Sequence, residues 1–151
     1  MLLAGCEAAP ASTPAPSPSV DHAGHDAALT ALQLELEGQG LAFEPAGPHH
    51  VVGTGADGVE VDLVGIPLEE AVLSVPAHEP DAVRGDMEPF LRPIERTLGG
   101  APAAFDGWLG QQLAAWDGRS ELRADGEFGD LSVSLRSTRE PPYVVLTLSR
   151  S

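Results

Sequence analysis

Apolar residues recur along this chain with two periods, one helical and one alternating, and the switches between them outline a fold. Leu29, Leu32 and Leu36 recur at spacings of three and four, and Gly38 and Gly40 follow, so Asp26 to Glu37 reads as a short amphipathic helix with Asp26 as its N-cap. Leu41 to Glu44 fits a brief strand. Val51-Val52 and then Val59, Val61 and Leu63 read as a hairpin turning at Asp57-Gly58, with Glu60 and Asp62 on its wet face. A further strand, Ala71 to Val75, follows the break at Ile66-Pro67.

The middle of the chain is helical. Met87, Phe90, Leu91, Ile94 and Leu98 keep one stripe, with Asp86 as candidate cap and Gly99-Gly100 as the stop. Pro89 fits an opening turn, while Pro93 removes a backbone donor and predicts a kink or a delayed start. A second helix, Ala103 to Trp116, carries Phe105, Trp108, Leu109, Leu113 and Trp116 on one side and stops at Asp117-Gly118. The two tryptophans share that stripe with leucines, which favours core packing over a partner surface. Strands then return. Leu131, Val133 and Leu135 alternate with Ser132, Ser134 and Arg136, a turn follows near Glu140-Pro141-Pro142, and Tyr143 to Leu148 forms another strand. Glu121 to Ala124 can add one more. This order predicts a single α+β domain over residues 26–151, a mostly antiparallel sheet with helices on one face. Hairpins flanking the central helices leave a two-lobed arrangement open.

Residues 7–25 break both periods. Ala9 to Pro18 holds Pro10, Pro14, Pro16 and Pro18, a Pro/Ala/Ser-rich composition that predicts a disordered linker extended at roughly 3.1 Å per residue. Just before it, Leu3-Ala4-Gly5-Cys6 resembles the lipobox of bacterial lipoproteins, whose cysteine is acylated and becomes the mature N-terminus. The resemblance covers four residues and implies that Cys6, the only cysteine, carries the lipid and that residues 1–6 are the remnant of a signal. It implies further that the domain is held at the cell envelope, on the extracytoplasmic face of a membrane. A charged, apolar leader would then begin upstream of Met1. No stretch approaches the roughly 18 apolar residues that span a bilayer, so membrane attachment would run through the acyl chains.

Charge narrows the partners. With 8 basic and 23 acidic residues the formal charge is -15, which repels phosphate backbones and argues against nucleic acid. All the basic residues are arginine, and lysine and asparagine are absent, a composition that fits GC-rich codon usage. The acidity is uneven. Residues 1–83 contain 13 acids and no arginine, whereas residues 84–151 contain 10 acids and all 8 arginines. The N-terminal half is thus expected to face a cation or basic partner, or to stand off an anionic membrane surface.

Chemical motifs are few. Gly53-Thr54-Gly55-Ala56-Asp57-Gly58 matches G-x-G-x-x-G, but a dinucleotide site needs a helix after the glycines and the residues from Val59 to Val64 read as strand, so no nucleotide partner is expected. Asp21-His22-Ala23-Gly24-His25-Asp26 places two imidazoles and two carboxylates within six residues, ligand types that suit a divalent transition metal such as zinc, copper or nickel. His49-His50 and His78 join that set only if folding brings them near. The plainer reading is a solvated linker ending in a helix cap. Metalloprotease, nucleophile-elbow, P-loop and EF-hand patterns are missing, and adjacent Glu69-Glu70 would diverge on a strand.

The sequence therefore predicts a lipid-anchored extracytoplasmic protein, a non-catalytic binding or envelope-support module with an envelope protein as partner. Its alternatives are a metal-binding lipoprotein using Asp21, His22, His25 and Asp26, and a small envelope enzyme without a recognisable motif.

Overall fold

The computed structural model describes residues 23–151. Ten elements run in the order α1 (Ala23–Gly38), β1 (Ala42–Gly47), β2 (His50–Thr54), β3 (Glu60–Val64), β4 (Glu70–Pro76), α2 (Pro80–Leu98), α3 (Pro102–Ala115), β5 (Arg123–Phe128), β6 (Leu131–Ser137) and β7 (Tyr143–Arg150). All strands join one seven-stranded sheet in the order β1-β2-β3-β4-β7-β6-β5, every neighbouring pair antiparallel. Two meanders flank the helices in sequence, and β7 inserts against β4 to weld them into one sheet, so the two-lobed arrangement is not adopted.

Alternation decides which face is covered. Val61 and Leu63 of β3, Ala71, Leu73 and Val75 of β4, Leu131, Val133 and Leu135 of β6, and Val144, Leu146 and Leu148 of β7 are all buried. They form one cluster with Leu32 and Leu36 of α1, Val83, Met87, Phe90, Leu91, Ile94 and Leu98 of α2, and Phe105, Leu109 and Leu113 of α3. Side chains between them stay half-exposed or exposed on the opposite, open face. The sheet thus keeps one dry and one wet face, as an antiparallel sheet can. Gly53 of β2 lies opposite Phe43 of β1, and a methyl group there would stand 2.7 Å from the Phe43 ring, so the glycine makes room for an aromatic lid on the core.

The G-x-G-x-x-G run is strand, turn and strand. Gly53 and Thr54 end β2, the Gly55 and Val59 backbones pair across the turn at 2.8 Å, Gly58 takes φ +84°, and β3 follows.

Three expectations about helix starts need correction. The first helix begins at Ala23, which puts Asp26 inside it and not at its N-cap. The second begins at Pro80, so Asp86 is internal and the cap position falls to Glu79, which makes no side-chain cap bond. Pro89 and Pro93 neither start nor end this helix; both lie within it. Pro80 supplies the opening turn that Pro89 was assigned, and Val83, one turn before Met87, extends the buried stripe back through it. Elsewhere the boundaries shift by a residue or more: α3 starts at Pro102, β1 runs on to Gly47, and β5 spans Arg123–Phe128.

Candidate functional site

A concave feature lies at the end of the sheet where β4 leaves, β6 turns into β7, and α3 hands over to β5. A cleft of about 550 Å³ is lined there by Ala77, Trp116, Gly118, Arg119, Ser120, Glu121, Ser137, Thr138, Arg139 and Pro142. Its walls come from three separate chain segments, each fixed by local bonds.

The first wall is the turn after α3. Asp117 Oδ1 accepts from the Arg119 amide at 2.8 Å, the Ser120 amide at 2.7 Å and the Ser120 hydroxyl at 2.8 Å. These donors, the Ser120 amide foremost, hold the Asp117 carboxyl down at about 2, so it remains an anion within its own turn. Buried Trp116 donates its indole N–H to the Ser120 carbonyl at 2.8 Å, tying the turn to the core.

The second wall is the β6–β7 turn. Thr138 Oγ1 donates to the Pro141 carbonyl at 2.6 Å and accepts from the Tyr143 amide at 3.0 Å, so this hydroxyl is fully engaged. Ser137 differs: its Oγ accepts the Leu122 amide at 2.7 Å, which leaves the hydroxyl hydrogen available to a ligand oxygen. The third wall is Ala77, whose amide donates to the Pro142 carbonyl at 2.9 Å.

Two guanidinium groups, Arg119 and Arg139, stand on these walls. Among the described residues neither enters an ion pair; the three pairs present are His50 with Asp62, Arg96 with Glu35, and Arg136 with Asp125. Glu121 supplies the cleft's carboxylate, since Asp117 is taken by its turn. Two planar, permanently charged forks and a free hydroxyl hydrogen suit an anionic oxygen cluster, a carboxylate or phosphate group.

A second, shallower depression of about 430 Å³ lies on the open face, lined by Asp125, Gly126, Glu127, Ser132, Val133, Ser134, Thr147 and Ser149. It offers hydroxyls and carboxylates. Among the described residues Glu95 of α2 is the buried carboxyl: burial first, and Asp106 next, push it up to about 7 against the pull of Arg92. It lines neither cavity.

The sequence-derived candidates fare unevenly. Cys6 and the side chains of Asp21, His22, His25 and Asp26 lie outside the described residues. His50 pairs with Asp62 at 2.7 Å on the open face, while His49 and His78 join no common centre. Among the described residues no group of three His, Cys, Asp or Glu side chains is arranged to hold a metal ion. Trp116 is buried, and Trp108 packs with Phe105 and Phe128 at centroid distances of 6.3 and 5.5 Å, the core role expected of both. Glu69 and Glu70 part as the chain enters β4. Arg119, Arg139 and Ser137 were not singled out from sequence. Their signal was faint: arginine confined to the second half of the chain, and an Asp-Gly-Arg-Ser turn.

No family model, curated protein or solved structure matches the chain. Among the described residues no helix is long and apolar enough to cross a membrane.

Proposed function

We propose that this protein is a lipid-anchored, extracytoplasmic binding module that takes an anionic, carboxylate- or phosphate-bearing group in the cleft between Arg119 and Arg139. The observation that carries the binding reading is that two arginines, neither of them ion-paired among the described residues, line one cleft of a chain with a charge of -15. Among the described residues only Arg96 and Arg136 of the eight arginines pair with a carboxylate, and of those left without one Arg119 and Arg139 line the same cleft. The anchor rests on the Leu3-Ala4-Gly5-Cys6 resemblance and on the proline-rich residues that follow it.

The two parts are tested separately. Calorimetric titration at low salt with inorganic phosphate and with succinate should show saturable binding. Arg119→Ala and Arg139→Ala should each weaken it by about tenfold, in line with the loss of a charge-assisted hydrogen bond. Raising the salt should weaken binding too. Titration curves identical for wild type and both variants would remove the site. For the anchor, labelled palmitate should enter the wild-type chain in a bacterial host, and Cys6→Ser should abolish the label and move the protein out of the membrane fraction. A metal role for Asp21, His22, His25 and Asp26 is supported by their ligand chemistry alone, and zinc titration against His22→Ala/His25→Ala decides it.

A further inference from the structure

The two edges of the sheet are built differently. At β1 the outer strand contains Pro45, and its register slips between Pro45 and Gly47, devices that stop another strand from adding. The opposite edge, β5, has the sequence Arg-Ala-Asp-Gly-Glu-Phe, no proline, and unbroken register with β6 from Arg123↔Arg136 to Phe128↔Leu131. Among the described residues its outer backbone groups have no strand partner, and the register says which they are. The Ser137 amide donates to the Leu122 carbonyl at 3.0 Å, one register step before Arg123, so Leu122 faces β6. Antiparallel pairs alternate, and therefore Ala124, Gly126 and Phe128 also face β6, while Arg123, Asp125 and Glu127 turn their amides and carbonyls outward.

Those three residues are self-complementary. When β5 runs antiparallel to a second β5 about a two-fold axis through Asp125, Arg123 faces Glu127 of the second copy and Glu127 faces its Arg123. Every outward amide then meets a carbonyl. Asp125 meets its own counterpart, but each Asp125 carboxylate is already held by Arg136 at 3.0 Å. This register also puts the helices of both copies on the same side of the joined sheet.

The helix over that edge has a matching surface. On α3, Gly110 packs against Arg84 of α2, and the stripe on the flank away from α2 is Ala104, Trp108, Gln111 and Ala115, uncharged throughout. Trp108 overlies β5, 3.2 Å from where a Gly126 methyl would stand. Ala104, Gln111 and Ala115 are exposed. A helix with so little polar surface is one that is normally covered.

We infer that this chain pairs with a second copy of itself through β5, joining two sheets into one, with the Ala104–Trp108–Gln111–Ala115 stripes of the two α3 helices meeting above the seam. The strand supplies register and the helices supply apolar area, which a strand alone lacks.

Light scattering and sedimentation of the full chain over micromolar to millimolar concentrations test this pairing. Wild type should dimerise. Arg123→Glu and Glu127→Arg each set like charges opposite one another at two places and should weaken the dimer about tenfold or more, while the double exchange Arg123→Glu/Glu127→Arg should restore it. Asp125→Pro removes an outward amide that β6 does not use and should leave a folded monomer. Should that variant fail to fold, amide exchange of the wild type decides: Arg123, Asp125 and Glu127 should gain protection as concentration rises. A monomer throughout the range, a dimer indifferent to the single reversals, or a double exchange without rescue would each overturn the pairing.

Discussion

The Glu95 carboxyl is buried, and among the described residues its Oε1 has no hydrogen-bond partner. An isolated charge there is costly, so the folded state holds the proton up to about 7 while the unfolded chain releases it near the ordinary value of 4.5. Between those two values the folded state binds more protons than the unfolded one, and stability falls as pH rises. The full contribution is present below about 4.5, and its loss is complete above about 7. The shift corresponds to a penalty on the order of 3 kcal/mol at alkaline pH. Glu95→Gln should therefore match wild type near pH 4 and be more stable at pH 8, by about 1 to 3 kcal/mol since the amide also needs a partner. Urea unfolding at the two pH values measures this, and an equal difference at both would refute the assignment. Asp117 runs the other way. Its lowered value makes it a stabilising group above the ordinary carboxylate range, and that contribution fades as pH falls toward 2.

Among the elements, α2 shows where local sequence signals and packing disagree. Pro89 and Pro93 argue against a continuous helix, yet Pro80–Leu98 is one helix because Val83, Met87, Ile94 and Leu98 need its full length to seal the sheet. Gly85, four residues before Pro89, leaves room on the helix surface, with nothing within 4 Å of where its methyl would be. Pro89 is exposed, whereas Pro93 is buried. Pro89→Ala should restore a backbone donor without disturbing the core and stabilise the protein by about 1 to 3 kcal/mol. A lowered denaturation midpoint would show that the proline ring has a packing role. The strands were far more legible. In β6 and β7, buried and half-buried positions alternate as the sequence does, because one face meets helices and the other water. The start of α2 was hidden because its usual marker misleads: Asp86 looks like a cap, but the buried stripe it precedes extends back to Val83. The arginine cleft was illegible for another reason. Trp116 to Glu121, Ser137 to Pro142 and Ala77 meet only once β4 and β7 are paired, and no local pattern encodes that meeting.

For the whole molecule, charge follows topology. The open-face row Thr54, Glu60, Ser74, Val145, Arg136, Arg123 runs in register across neighbouring strands, from a carboxylate on the first meander to two guanidinium groups on the second. Along this one row the acid of the first meander gives way to base, while Asp125 and Glu127 of the second meander lie on the same open face. A chain-wide charge of -15 weighs against nucleic acid but conceals two arginines that line one cleft.

The position of β7 reaches beyond packing into the order of events when the protein is made. It pairs with β4 on one side and β6 on the other, so the strand synthesised after all the others occupies the middle of the sheet. Until it emerges, β4 and β6 each present a bare edge and Leu73, Leu135 and their neighbours have no cross-strand cover. The nascent chain should therefore stay open until β7 emerges and close late through long-range pairing, a slow class of folding. An open chain is what passage through a protein-conducting channel requires. A chain stopped at Pro142 should accordingly give no cooperative thermal unfolding and no near-ultraviolet dichroism from Trp108 and Trp116. A native-like signal from that fragment would show that the first six strands fold without their centre.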